Sequence, residues 1–302
     1  SQGVERQSCL PKTAWPPTTK DRGLKDLSPA ALTAETTAAL TWAHQQQTRF
    51  ALEPDQPDYH RLRYQLGQLD RLAATMIRVL FNQAQVSGAS PAAAERAFGR
   101  GAWPALTYPL GDGHQVLLRG RVDRIDHLPV ADRQYQLVID YKSSNRSFDL
   151  VKAASGLDLQ LVTYLAALKQ HSADPLAGAF YLHLNDPVVS LKGRTKNWGD
   201  YERFEHRYQG LVLDDPELLR LLDQGIGQDK AGLLLRAGFK KKTGQITASQ
   251  GSALFTPAEL DWLLNHNRDL ITAAARAIFA GEIDLAPYRY TSGSTTETGL
   301  TL

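Results

Sequence analysis

Apolar residues recur at three- and four-residue intervals in two stretches of the N-terminal third, and this spacing predicts two amphipathic helices. The first, LSPAALTAETTAALTWAHQQQ, has Ser28 at the N-cap position and Pro29 at the first helical place. The second follows the break EPDQPD and runs from about Asp58 to Val86, with Leu62, Leu66, Leu69, Leu72, Ile77, Val79 and Leu80 on one broad face. After Gly88 the pattern changes. LTYPL, HQVLLRGRVDRIDHL and QYQLVIDYKSS are β-branched and partly alternating, with Gly111, Asp112 and Gly113 supplying a turn, which predicts a strand meander. FDLVKAASGLDLQLVTYLAALKQ returns to helical spacing, and AGAFYLHL is an apolar run of strand length. Past residue 190 the pattern predicts a polar loop around Lys192 to Asp200, a helix in PELLRLLDQGI, and a last helix from about Pro257 to Ala280 with Thr256 as its cap. Residues 1 to 26, with Pro11, Pro16 and Pro17, read as an extended lead-in, and the tail TSGSTTETGLTL is expected to be loose.

These elements imply an α/β fold: a helical arm and lead-in over 1–88, a core over 89–190, and a C-terminal extension over 191–302. The length of 302 residues and an apolar share of 42% are ordinary for a globular chain and exclude disorder as its main state. The single cysteine, Cys9, excludes an internal disulfide, a four-thiolate zinc site and a cysteine-held cluster, and it fits a cytoplasmic location. No run approaches the roughly 18 to 20 apolar residues needed to span a bilayer, so no membrane role is expected. With 34 basic against 32 acidic residues, overall attraction does not explain nucleic-acid binding, and any basic surface must be local. The best candidate is Lys230 to Lys242, which includes Lys240, Lys241 and Lys242. Most such runs are merely solvated faces.

Two acids and a lysine carry the chemical interest. Asp123 in LLRGRVDRID and Asp140 in QLVIDYKSS lie within apolar strands, where an ionised group is costly unless paired or bound to a cation. Converging at one end of a sheet, they would offer the hard oxygen ligands that Mg2+ or Mn2+ prefers. Lys142, two residues after Asp140, projects from the same strand face. Such a set could bind a cation, activate water and stabilise the added charge of a phosphorane. An isolated D-x-K is most often a surface ion pair. Here it is followed by Gln160 and Tyr164, four apart on one helix face, and the order GRxD, DYK, QxxxY is rare by chance.

From about Glu95 to Pro187 these motifs resemble the RecB-type nuclease domain of the PD-(D/E)XK superfamily, and specifically the C-terminal nuclease of AddB/RexB helicase-nuclease subunits. The resemblance implies a restriction-endonuclease-like core, a mixed sheet flanked by helices, with the helical arm and C-terminal extension on either side. It implies Asp123 and Asp140 as metal ligands, Lys142 as the catalytic lysine, and Gln160 with Tyr164 as the motif that contacts DNA or supports the centre. Glu95 matches an acid that the family carries before its first core strand. Arg121 and Ser143, beside the acids, join Lys240, Lys241 and Lys242 as expected DNA contacts.

The activity implied is Mg2+- or Mn2+-dependent hydrolysis of DNA in double-strand break processing, beside a partner of the AddA/RexA type. Two departures accompany the resemblance. The AddB group holds an iron-sulfur cluster with four cysteines, whereas this chain has Cys9 alone, with Thr295, Glu297 and Thr298 near where cysteines would begin, so no cluster is expected. The family's histidine-bearing helix and helicase-like portion have no counterpart, which reads as a fragment of a longer subunit with weak cutting in isolation. A catalytically inert DNA- or partner-binding module, and a free-standing or CRISPR-associated exonuclease, are the rival readings.

Overall fold

The computed structural model describes residues 23–47, 57–101, 103–144, 147–184, 205–227, 232–240, 243, 245–248, 251–282, 287–292 and 295–300. The expected lead-in before residue 23 and the loop at Lys192 to Asp200 lie outside them. The chain divides into two units, Ser1–Gln85 and Val86–Leu302.

The first unit is helical. Helix α1 spans Pro29–Gln47 and α2 spans Tyr59–Val86, the latter ending at the unit boundary. Ser28 Oγ accepts the Ala31 N–H at 3.2 Å, so the serine and the proline after it start α1 as their positions predict. His44 Nε2 on α1 lies 2.8 Å from Asp70 on α2. The apolar face expected of α2 is only partly covered, since Leu62 and Leu69 are exposed.

The second unit is built on a six-stranded sheet in the order β1-β4-β5-β6-β7-β10. Its strands are β1 Ser90–Phe98, β4 Gly120–Val130, β5 Arg133–Lys142, β6 Leu176–His183, β7 Gln209–Leu213 and β10 Ser252–Phe255. The first three pair antiparallel, β5 and β6 parallel, β6 and β7 antiparallel, and β7 and β10 parallel. Thus β7 and β10, from beyond residue 190, belong to the same sheet as the motif-bearing strands. Separate hairpins are formed by β2 Leu106–Gly111 with β3 His114–Leu118, and by β8 Ala237–Phe239 with β9 Ile246–Ala248. The β2–β3 turn falls at Asp112 and Gly113, both at positive φ, which glycine tolerates readily and aspartate better than most residues.

The predicted long helix after β5 is two helices, α3 Leu150–Ala154 and α4 Gln160–His171. Gly156, at φ +80, lies between them, and the spacing of apolar residues does not reveal the break. Leu161, Val162, Leu165 and Leu168 of α4 are fully buried, and the helix lies on β5 and β6. Helix α5, Pro216–Leu222, packs against β4 beside Leu128. Helix α6, Pro257–Phe279, covers α4 and starts with a capping box in which Thr256 and Glu259 satisfy each other's backbone N–H groups.

The expectation of a loose tail is corrected. β11 Pro287–Ser292 pairs with β12 Thr295–Leu300 as an antiparallel hairpin. Threonine-rich segments favour extended backbone, and this preference outweighs the low apolar content. No described helix is long and apolar enough to cross a membrane.

Candidate active site

The β4–β5 register runs from Val130↔Arg133 to Arg124↔Ile139. One step further along it, Asp123 stands opposite Asp140, so both carboxylates fall on the same sheet face. Alternation along β5 adds Lys142 to that face. Both motifs lie at strand ends, β4 entering the sheet where β5 leaves it.

Asp140 is 2% exposed, and its Oδ2 lies 2.6 Å from Lys142 Nζ. Its Oδ1 accepts a hydrogen bond from Gln160 Nε2 at 2.9 Å. Gln160 is the first residue of α4, and its Oε1 accepts from Lys142 Nζ at 2.6 Å. Its Nε2 also donates to Tyr164 Oη at 3.0 Å. This network fixes the amide orientation, because a flipped Gln160 would set its NH2 against the ammonium. One amide therefore reads both members of the D-x-K pair. Asp123, less buried, accepts the Tyr141 N–H at 2.9 Å, so the backbone between Asp140 and Lys142 holds the neighbouring carboxylate.

Tyr164 closes one side. Burial pushes its phenol above the usual value, the hydrogen bond from Gln160 opposes this, and the charges of Asp140, Asp123 and Glu95 push it further up. The phenol therefore stays neutral at ordinary pH. Phe98 meets the Tyr164 ring edge-on at 6.2 Å, and it sits over Gly120, where a Cβ would come within 2.6 Å of the Phe98 ring. A glycine is needed there for close approach.

The structure corrects the expected setting of Glu95, which lies inside β1 and not before the core strands. The β1–β4 register brings it opposite Asp123, at φ +53, with an exposed ion pair of 2.9 Å to Arg121. Ser143 is exposed just past β5. Lys240 is exposed, and its N–H donates to Gln245 O at 2.9 Å beside the β8–β9 hairpin. Lys241 and Lys242 lie outside the described residues. No described interaction joins Lys240 to the acids.

Among the described residues no group of three or more His, Cys, Asp or Glu side chains is gathered as a metal site. The carboxylates that could hold a cation here are the pair Asp123 and Asp140. This pair fits Mg2+, which keeps several waters and takes one or two protein carboxylates. An oxygen that accepts one hydrogen bond retains a second lone-pair direction.

The sequence motifs leave out the charged residues on the opposite face of β4. Arg124 Nε and Nη2 donate to the two oxygens of Asp126, the first at 2.7 Å, and both side chains are largely buried. The signal was present, since Arg124 and Asp126 alternate with Asp123 in the same strand.

A profile of the PD-(D/E)XK nuclease superfamily matches residues 21–293. Among curated proteins, the chain is 41% identical over 250 residues to the B subunit of the ATP-dependent helicase/deoxyribonuclease of Limosilactobacillus reuteri, covering 78% of this chain and 20% of that protein. It is 34% identical over 260 residues to the corresponding subunit from Lactiplantibacillus plantarum, covering 80% of this chain and 22% of that protein. The chain thus spans about a fifth of the length of these relatives. A match over most of the chain, on the mixed sheet and motif order just described, shows that the chain belongs to the PD-(D/E)XK nuclease superfamily, as a domain homologous to AddB/RexB-type helicase-nuclease subunits that lacks their iron-sulfur cysteines.

Proposed function

We propose that this chain is a divalent-metal-dependent deoxyribonuclease domain of a helicase-nuclease complex, cutting DNA by phosphodiester hydrolysis during double-strand break processing and recombinational repair. The observation that carries this reading is the closed network in which Lys142 lies between Asp140 and Gln160 while Asp123 shares their sheet face. A structural ion pair needs no second carboxylate in register and no amide bridging to a phenol. Asp123 and Asp140 would hold Mg2+ or Mn2+, which supplies charge neutralisation at the phosphate and acidifies a bound water.

The chain's own groups do the rest. The Lys142 ammonium, fixed by two oxygen partners, faces the developing negative charge of the phosphoryl oxygens and orients the attacking water. Gln160 holds Lys142 and Asp140 at fixed separation, so the charges need no rearrangement as the reaction proceeds. Tyr164 stays a neutral hydrogen-bonding group. Arg121, Ser143 and Lys240 to Lys242 would contact the DNA backbone. Homology to one subunit of a two-part helicase-nuclease supports a partner of the AddA/RexA type in the cytoplasm, and we assign the segments 1–88, 89–190 and 191–302 to arm, nuclease core and extension.

The test is digestion of end-labelled single- and double-stranded DNA by the chain, alone and with an AddA/RexA-type partner, with and without Mg2+. Metal-dependent cutting abolished by Asp140→Asn and by Lys142→Ala supports the reading. DNA binding without cutting in every arm points to an inert nuclease-fold module.

A further inference from the structure

We infer that Tyr181 and Asp158 form a positioning pair that couples the strand beneath Lys142 to the helix start that carries Gln160. The inference rests on the nuclease reading above for its kinetic consequence, though not for its geometry.

Tyr181 lies on β6, opposite Asp140 in the parallel register, so its side chain shares the face of Asp140 and Lys142. It is fully buried and among the largest side chains that are. The Lys142 ammonium sits 5.2 Å from the centre of its ring, within cation–π range. Lys142 is thereby enclosed by the Asp140 carboxylate, the Gln160 carbonyl and the face of Tyr181. The Tyr181 hydroxyl points onward and donates to Asp158 Oδ1 at 2.7 Å. Asp158 is 3% exposed and stands two residues before Gln160, in the turn that launches α4.

A buried carboxylate is expensive unless hydrogen-bonded, and a phenol donating to it makes one of the stronger neutral-to-ion hydrogen bonds. The cost of losing that bond ties the turn to β6. Leu159, the N-cap of α4, provides no side-chain cap, so the tie at Asp158 substitutes for the capping interaction that would otherwise fix the helix start. Tyr181 thus acts at both ends: its ring bounds Lys142, and its hydroxyl sets where Gln160 begins. It touches neither substrate nor metal in this scheme and acts through Gln160 and Lys142.

The test is a double-mutant cycle on the chain that shows the highest cleavage, alone or with its partner. The variants are Tyr181→Phe, Gln160→Ala, their combination, Asp158→Ala and Asp158→Asn. Tyr181→Phe keeps the ring and the volume and removes the hydroxyl. It is expected to lower kcat about tenfold with KM within about twofold, the scale of a lost hydrogen bond to a charged group. Asp158→Ala should match it, and Asp158→Asn, whose amide oxygen still accepts from Tyr181, should recover most of the loss. Because Tyr181 acts through Gln160, the Tyr181→Phe/Gln160→Ala double variant should be no slower than Gln160→Ala alone. Losses that multiply would overturn the proposal, as would wild-type kcat in both Tyr181→Phe and Asp158→Ala.

A second readout needs no activity. The side-chain amide resonances of Gln160, assigned by their disappearance in Gln160→Ala, should shift in metal-free Tyr181→Phe and Asp158→Ala and stay near wild type in Asp158→Asn. Shifts in these variants of a chain whose wild type does not cut DNA would uphold the positioning pair while sinking the nuclease reading. Unmoved Gln160 resonances in folded Tyr181→Phe and Asp158→Ala would sink the pair.

Discussion

Asp140→Asn separates what this carboxylate does for the fold from what it does for chemistry. The side chain keeps its shape, and Asn Oδ1 still accepts from Gln160, but the charge facing Lys142 is gone. Removing one partner of a fully buried ion pair costs about 3–5 kcal/mol, and of an exposed pair about 0–1 kcal/mol. Asp140 is 2% exposed, while the Lys142 side chain keeps 18% of its surface in water and retains the Gln160 oxygen. The loss should therefore fall between these limits, at about 1–3 kcal/mol, read by urea denaturation without metal. Cleavage should fall at least about a hundredfold, the usual scale for removing an electrostatic stabiliser. The double variant Asp140→Asn/Lys142→Gln sharpens the contrast. With both charges of the pair absent, neither is left buried without its partner, so part of the stability returns while cleavage stays lost. Cleavage by folded Asp140→Asn within tenfold of wild type would refute the assignment, and a double variant no more stable than the single would refute the buried-pair argument.

Three further outcomes follow from particular contacts. Burial pushes the Tyr208 phenol above its usual 10.0, so its share of stability is intact below about pH 10 and is lost as the pH climbs toward the folded value, because the unfolded chain ionises first. Denaturation midpoints should fall above pH 10, and less steeply in Tyr208→Phe; identical alkaline slopes would contradict the burial. Changing Lys240, Lys241 and Lys242 together to Ala should weaken DNA binding evenly across sequences and flatten the log–log salt slope by up to about 3. An unchanged slope would make the run a solvated surface. Thr256→Ala removes the cap of α6 and should cost about 1 kcal/mol in denaturation, with full stability disproving that the cap contributes.

Local chemistry was readable from the chain where neighbours in sequence decide the outcome. Thr256, Pro257 and Glu259 start α6 where the capping pattern puts it, Gly113 turns the β2–β3 hairpin, and period two sets Lys142 beside Asp140. Elements that depend on distant partners were not readable. β1, SPAAAERAF, is alanine-rich with no alternation, and it is a strand because β4 offers it an edge. The α3–α4 break rests on one glycine within an unbroken helical spacing. β7 and β10 join the sheet from a region whose sequence reads as an appendage, since five- and four-residue strands carry too few positions to show a period. For the site, the residue types were evident, but the double engagement of Gln160 required the parallel β5–β6 crossover that lays α4 over both strands.

The segment V-D-R-I-D contains two aspartates, and the strand assigns them opposite chemistry. Three residues apart on β4, Asp123 and Asp126 point to opposite faces. Asp126 meets Arg124 two residues away in a two-bond pairing inside the protein, and Arg124 Nη1 also reaches the Tyr141 hydroxyl. Burial works against the Arg124 charge, but the Tyr208 phenol and the Asp126 carboxylate beside it outweigh that and hold the guanidinium protonated. That face is electrically complete. On the other face Lys142 pairs with Asp140 and Asp123 accepts the Tyr141 N–H, so among these three groups one negative charge is left over. Water or a cation must compensate it, and the low dielectric around Asp140 favours the cation. The motif can therefore be divided by parity alone: Arg124 and Asp126 pair with each other on one face of β4, and Asp123, on the other, is left for the phosphodiester chemistry proposed here.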